Sequence, residues 1–269
     1  MATIIGGQGF IGRALAAHLT ELQYAVWVPK KNDPQLFMRE LGKVFYCAGL
    51  TADYLQRPFD TVNAHVSLLA DILQRASWES LVYLSSARVY DGLSGAVQET
   101  DDLMLNPNNP RHLYDLSKLM GESLCLQTKR ASVARLSCVY GDHEDQDGFL
   151  PNLIRQALNA KSNSLRVDSS PNFCRDYVHL SDVLSALVAI NSCEVSSIYN
   201  VASGENVANA EIFSLLSSAL DVSIETSTAV KNTASVPVVN IDKMKNSFGW
   251  EPKKLVPTMA HLLTELKAE

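Results

Sequence analysis

The sequence predicts an α/β protein built on a doubly wound parallel sheet. Two observations carry that prediction. Short apolar runs alternate with helix-patterned segments through the first half of the chain, and a glycine-rich turn joins the first run to the first helix. Residues 3–6 read as a strand, 11–23 as a helix and 24–28 as a second strand. An apolar run at 43–48 precedes a long helical pattern over 59–75. A strand at 81–85, a helix at 113–128 and a strand at 132–138 follow. Such alternation implies parallel βαβ units, because a parallel return needs a crossover long enough to hold a helix. After Gly141 the pattern loosens: a helix at 149–160, an edge strand at 165–167, a strand at 176–180, a helix at 181–190 and a strand at 198–201. Helices at 210–220, 241–250 and 258–267 complete the chain, the last two separated at Pro252. No low-complexity linker marks a boundary, so the second half predicts a small lobe assembled from discontinuous pieces.

The 269 residues are 46% hydrophobic and 19% charged, ordinary for a soluble globular chain with one substantial core. A net charge of −6 gives no electrostatic reason to expect nucleic acid or an acidic membrane surface as a partner. No apolar run approaches the ~18 residues that a membrane span requires. The chain enters a strand pattern at once and leaves no room for a signal peptide, so a cytoplasmic location is expected. The cysteines, at 47, 125, 138, 174 and 193, are odd in number and form no C-x-x-C pair. Neither a disulfide framework nor a metal site is expected.

The turn Gly6-Gly-Gln-Gly9-Phe10-Ile11-Gly12 stands at the first strand–helix junction. Glycine is needed where the backbone must turn tightly and approach a pyrophosphate with no Cβ in the way. The helix behind it offers unpaired N–H groups to the phosphate charge. In dinucleotide sites of this kind a carboxylate ends the second strand and holds the adenosine ribose. Here that strand runs into Pro29-Lys30-Lys31. A lysine offers charge to a 2′-phosphate, which favours NADP(H) over NAD(H), with Asp33 as the alternative ribose acceptor.

Tyr114 and Lys118 are spaced i and i+4, on one face of a helix. A nearby ammonium favours phenolate, so such a tyrosine can exchange protons with an alcohol. Upstream, the apolar run Leu81-Val-Tyr-Leu-Ser85-Ser86 ends in hydroxyls at a strand's carboxyl end, where ligands of doubly wound sheets bind. Arg88 and Tyr90 follow closely.

With these residues in place, the chain resembles the extended short-chain dehydrogenase/reductase family, in its nucleotide-sugar epimerase/dehydratase branch, over nearly its whole length. The resemblance is carried by Gly6-x-x-Gly9-x-x-Gly12, Cys47-Ala48-Gly49, Asn63, Ser85-Ser86-Ala87-Arg88-Val-Tyr90 and Tyr114-x-x-x-Lys118. Arg135-Leu-Ser-Cys138-Val-Tyr-Gly141, Arg175-Asp-Tyr-Val-His-Leu-Ser-Asp182 and Tyr199-Asn-Val-Ala-Ser-Gly204 continue it in order. It implies a Rossmann domain over 1–141 and 176–201 that binds NAD(P), with a substrate lobe over 142–175 and 202–269. Ser86, Tyr114 and Lys118 take the catalytic roles. Gly6, Gly9, Phe10, Ile11, Gly12, Lys30, Cys47, Ala48 and Gly49, with Tyr114 and Lys118, hold the cofactor. Ser86, Ala87, Arg88, Cys138 and Arg175 face the substrate, Arg175 toward a phosphate. The resemblance also implies a homodimer in which 60–75 and 113–128 form a four-helix interface.

The chain departs from the family in ways that bear on the reaction. Ser86-Ala87-Arg88 stands where dehydratases carry Thr-Asp-Glu, so dehydration is not expected. The short stretch from Lys31 to Lys43 leaves no room for the usual third strand and its helix. Cys138 replaces an Asn, Asp91 replaces a Gly, and Ser235-Val-Pro-Val238 lacks a second phosphate-binding Arg. The expected activity is an epimerase acting on a nucleotide-activated sugar by hydride transfer through a keto intermediate. The alternative is an NADPH-dependent ketoreductase of a nucleotide-linked keto-sugar or similar carbonyl. A non-catalytic dinucleotide sensor would not need the proton-transfer set, and an α/β serine hydrolase would need a G-x-S-x-G elbow that is missing.

Overall fold

The computed structural model describes residues 1–141, 148–160, 163–226 and 236–268. Strand β1 (Ala2–Ile5), fully buried, passes through the glycine turn into α1 (Phe10–Glu21). β2 (Val26–Trp27) pairs with one side of β1 and β3 (Lys43–Tyr46) with the other. α2 (Pro58–Val62), a π turn over Asn63–Ser67 and α3 (Leu68–Arg75) then lead to β4 (Ser80–Ser86). Beyond the short β5 (Ala96–Val97), α4 (His112–Leu126) carries the chain to β6 (Ala131–Leu136). Next come β7 (Cys138–Tyr140), α5 (Phe149–Leu158), β8 (Ser164–Val167), β9 (Cys174–His179), α6 (Leu180–Asn191) and β10 (Ile198–Val201). The chain closes with β11 (Asn206–Ala208), α7 (Asn209–Leu220), β12 (Ser223–Thr226), β13 (Val238–Val239), α8 (Asp242–Phe248) and α9 (Leu255–Ala268).

Six parallel strands in the order β10-β6-β4-β3-β1-β2 make the principal sheet. Both of its faces are covered, which is why the strands read as nearly unbroken apolar runs. Successive residues of β3 show the alternation: Phe45 joins the core shared with Leu15, Leu19 and Leu187, whereas Val44 and Tyr46 join Leu69, Ile72 and Cys125 on the opposite face. From β1 the chain moves outward to β2, and then returns to the other side of β1 as β3. That reversal opens a crevice at the carboxyl ends of β1 and β3, where ligands of such sheets lodge.

Two features differ from the sequence pattern. The helix over 59–75 opens into a π turn, because hydroxyls from two neighbouring strands claim its carbonyls: Tyr46 donates to Ala64 O at 2.6 Å and Tyr83 to His65 O at 3.3 Å. The strand read at 176–180 forms as β9 but leaves the principal sheet, pairing with β7 and β11 in a separate three-stranded sheet. The missing third strand is as expected. Only a 3-10 turn, Pro34–Phe37, lies between β2 and β3, and Asp33 caps it by accepting from Gln35 N–H at 3.0 Å.

A smaller core gathers Leu150, Leu153, Tyr177, Ile212, Leu216 and Leu255 from the second half of the chain. Val239, Ile241, Met244 and Trp250, expected in the lobe, pack into the larger core instead. Residues 142–147 of the lobe, and Ser235, lie outside the described residues.

A buried polar network ties the principal sheet to the helix packed on it. Arg135 of β6 contacts Glu122 of α4 at 2.7 Å, both side chains nearly inaccessible. Glu122 also accepts from Ser85 Oγ, while Arg135 donates to Tyr90 Oη, which donates to Asn200 Oδ1 at 2.8 Å. Breaking a buried pair on one side strands the other charge. Glu122→Leu should therefore destabilise the fold by about 3–5 kcal/mol. Adding Arg135→Met should lose about 1–3 kcal/mol less than the two single changes summed. Chemical denaturation of the three variants measures this, and simple additivity would contradict it.

Candidate active site

The cavity in the crevice has a volume of about 690 Å³. One wall is the glycine turn. Gly6 has φ +85°, and a Cβ there would lie 2.5 Å from the Ala48 backbone nitrogen, so a side chain at this position would drive the exit of β3 away. Gly9 begins α1 with no side-chain cap, and the first helical turn carries no acid. Its N–H groups and the positive end of the helix are left for an anion. Gly9, Phe10, Ile11 and Gly12 line this wall together with Arg13, which belongs to no motif. A cation directly after the third glycine was its only sequence signal.

The opposite wall carries the candidate acid/base residues. Ser85 and Ser86 point to opposite sides of β4: Ser85 turns inward to Glu122, and Ser86 lines the cavity. Ser86 also accepts the Arg88 N–H at 3.2 Å and hydrogen-bonds the Tyr114 hydroxyl. Burial pushes the Tyr114 phenol up to about 12, against the pull of Ser86 and of the Arg88 charge. Lys118, one turn along α4, is buried and donates to Leu84 O at 2.8 Å. Burial draws its ammonium down to about 7, opposed by the negative charge of Glu122. The three expected catalytic side chains thus share one face of the cavity.

Cys47, Gly49, Ala87, Cys138 and Arg175 also line it. Burial holds the Cys47 thiol up at about 12, which disfavours the thiolate. Arg175 is exposed, stacks on Phe173 at 4.6 Å and hydrogen-bonds Cys138; among the described residues no carboxylate pairs with it. Arg88 is committed internally. Its guanidinium donates to Tyr54 Oη at 2.9 Å and Arg111 O at 2.8 Å, pairs with Asp115 at 3.3 Å, and lies 4.9 Å from the Tyr114 ring centre. It lines the cavity, as expected, and shapes the wall around Tyr114. Lys30 is exposed and outside the cavity lining, and Asn63, at the start of the π turn, is exposed as well. Tyr54 and His65, both buried and packed against Tyr114 at 5.4 and 5.3 Å, belong to no motif in the sequence. Among the described residues there is no group of three potential metal ligands.

A parallel sheet with a glycine turn at its switch point, facing a Ser–Tyr–Lys set, defines a dinucleotide-dependent oxidoreductase. Residues 2–202 match the model of the NAD dependent epimerase/dehydratase family, and the chain belongs to that family. It is 28% identical, over 93% of its length and 91% of the relative's, to a GDP-6-deoxy-D-mannose reductase of Pseudomonas aeruginosa. The structure of RMD from Pseudomonas aeruginosa complexed with NADPH superposes with a TM-score of 0.75 at 23% identity, covering all of both chains. MoeE5 in complex with UDP-glucose and NAD gives 0.80 at 21% identity, covering 100% of this chain and 99% of that one. The chain is an NAD(P)-dependent enzyme of the extended short-chain dehydrogenase/reductase type, and both the epimerase and the reductase readings fit these relatives. No helix among the described residues is long and apolar enough to cross a membrane.

The buried lysine makes stability depend on pH. Its pKa falls on folding from 10.5 to about 7. Below pH 7 the ammonium is charged in both states, and the folded state bears the full desolvation cost; that cost fades as pH rises toward 10.5. Lys118→Met should therefore gain thermal stability relative to wild type in acid, with the gain shrinking steadily between pH 7 and 10.5. Melting the unliganded proteins across this range tests it; a pH-independent difference would contradict the assignment.

Proposed function

We propose that this chain reduces a nucleotide-linked keto-sugar to the alcohol, using NADPH that binds and leaves in each cycle. The observation that carries the reading is the adenosine end of the cofactor domain. The sheet stops at a two-residue edge strand, and only a 3-10 turn follows, so little protein is available to enclose the adenine. A reductase exchanges its cofactor every turnover; an epimerase that retains its cofactor gains from enclosing it. Both the sequence relationship to a GDP-6-deoxy-D-mannose reductase and the fold shared with an NADPH complex support this direction.

The residues present fit the cofactor: the tight glycine turn at the start of α1 would receive the pyrophosphate, and Lys118, which lines the same cavity, would hold the nicotinamide ribose. The bound dihydronicotinamide supplies a hydride to the carbonyl carbon. Ser86 holds the carbonyl oxygen, and Tyr114 passes its phenolic proton to that oxygen as negative charge develops there. The Lys118 ammonium stabilises the phenolate that remains until solvent reprotonates it. Cys138 and Arg175 contact the nucleotide-sugar, with Arg175 on a phosphate. The homodimer implied by the resemblance fits the apolar side chains Phe59, Leu116 and Met120 exposed on α2 and α4, and a cytoplasmic site matches the supply of NADPH.

Epimerisation is the second reading. The same set run first as oxidation and then as reduction would invert a carbinol, and an Arg175 that no carboxylate pairs with among the described residues suits tight retention of a keto intermediate by its nucleotide.

Tyr114→Phe removes the proton donor, and turnover should fall by about 10²-fold or more with NADPH affinity nearly unchanged. Steady-state kinetics with a parallel cofactor titration measures both; near wild-type turnover would remove Tyr114 from the mechanism. Asp33 is occupied as a cap, and Lys30, just beyond β2, is the charge proposed to meet the 2′-phosphate. NADPH should bind about tenfold more tightly than NADH, the lower end for an exposed charge-assisted contact. Lys30→Asp should invert that ratio. Equal affinities in the wild type, or an unchanged ratio in the variant, would leave Lys30 as a solvated loop charge.

A further inference from the structure

The imidazole of His65 is fully buried inside the π turn, against the edge of the catalytic set. Its Nε2 accepts the Leu50 N–H at 3.3 Å, and its Nδ1 lies 2.8 Å from Ser117 Oγ. A backbone amide can only donate, so Nε2 carries no proton and Nδ1 is the protonated nitrogen of a neutral ring. Burial and the neighbouring Lys118 charge pull the imidazole down to about 3, which keeps it neutral. Ser117 receives the Nδ1–H bond and donates its own hydroxyl hydrogen to the Tyr114 carbonyl at 2.8 Å. The imidazole also meets the Tyr114 ring nearly at right angles, 85° between planes. On its other side, Gly49 packs so closely that a Cβ would lie 2.9 Å from His65 Nε2 and 3.3 Å from Lys118 Nζ. Gly49 lines the cavity.

We propose that His65 is a positioning residue: as a fixed Nδ1–H tautomer it ties the Gly49–Leu50 segment of the cofactor cavity to the turn of α4 that carries Tyr114. It moves no proton in the reaction. Its Nε2 side holds the backbone against which the cofactor lies, and its Nδ1 side holds the helix turn from which the phenol projects. The two sides act on different kinetic parameters, the first on cofactor affinity and the second on turnover. The π turn makes this arrangement available, since Tyr46 and Tyr83 hold the Ala64 and His65 carbonyls from the strands below.

Two substitutions separate the two sides. His65→Asn sets an amide nitrogen near the Nδ1 position, keeping the donor to Ser117 and losing the acceptor for Leu50. His65→Gln sets an amide oxygen near the Nε2 position and does the reverse. His65→Asn should raise the NADPH Kd about tenfold with kcat within about threefold of wild type, the scale of one buried hydrogen bond. His65→Gln should lower kcat about tenfold with Kd nearly kept. Equal effects of both variants on both parameters, or no effect beyond a lower melting temperature, would overturn the proposal. Should neither variant fold, Ser117→Ala interrupts the same chain without altering the buried ring. It should lower kcat and leave Kd unchanged, and an unchanged kcat would overturn the proposal equally. Nitrogen-15 NMR of the histidines supplies a signature independent of turnover: His65 should remain the Nδ1–H tautomer from about pH 5 to about pH 9, whereas an Nε2–H ring, or one titrating near the ordinary value of about 6.5, would overturn it. The kcat readings rest on the proposed reduction, but the NADPH titrations and the NMR do not. A wild type that turns over no nucleotide-linked keto-sugar would therefore refute that function while leaving the His65 proposal to be decided by these two.

Discussion

The buried contact between Arg135 and Glu122 is the constraint on which the rest of the site depends. It joins β6 to α4 at 2.7 Å in a place that water does not reach, and a charge left alone there is severely penalised. Glu122 lies one turn beyond Lys118 and two beyond Tyr114, so the rotation and height of the catalytic helix are set by where this carboxylate must sit. The same carboxylate accepts from Ser85, whose neighbour Ser86 faces the cavity on the other side of β4. One interaction thereby fixes the relative placement of Ser86, Tyr114 and Lys118, the three side chains proposed to be catalytic. Through Tyr90 and Asn200 it also reaches β10, at the far edge of the principal sheet.

Burial then sets the protonation of the groups so placed. Desolvation raises the phenol of Tyr114 to about 12 and lowers the ammonium of Lys118 to about 7 and the imidazole of His65 to about 3. The direction differs because the charged form is the base in one case and the acid in the others. A neutral phenol is what a carbonyl reduction needs at its start, since the group must hold a proton to give. Arg88, anchored by Tyr54, Arg111 and Asp115, contributes a fixed positive charge beside the ring that helps the phenolate once it forms.

Much of this was legible in the sequence where the chemistry is local. Gly6, Gly9 and Gly12 announced the turn, where Gly6 and Gly12 leave no room for a Cβ, and Tyr114 and Lys118 share a helix face by spacing alone. The absence of an additional strand and helix between β2 and β3 followed from the number of residues between Lys31 and Lys43. What could not be read depends on partners distant in the chain. The π turn leaves the helical apolar pattern intact, and its cause is two hydroxyls from β3 and β4. The departure of β9 from the principal sheet is a choice of strand partner that its own residues do not encode. Arg88 lines the cavity as expected, but its contacts with Tyr54 and with Arg111 and Asp115 at the start of α4 come from segments that meet it only in the fold. Tyr54 and His65 carry no motif, because holding a catalytic residue in place requires only shape and one or two hydrogen bonds.

The central claim is that the Ser86, Tyr114 and Lys118 set serves net reduction of a nucleotide-linked carbonyl. The most direct measurement is isotope transfer: wild-type protein is incubated with NADPH deuterated at the transferable position of nicotinamide C4 and with UDP-, GDP- or dTDP-linked keto-sugars. Mass spectrometry then reads the products. The account predicts an alcohol carrying one carbon-bound deuterium, formed in step with cofactor oxidation. Alcohol formed without deuterium, or no reduction of any of these compounds by protein that binds the cofactor, would contradict it.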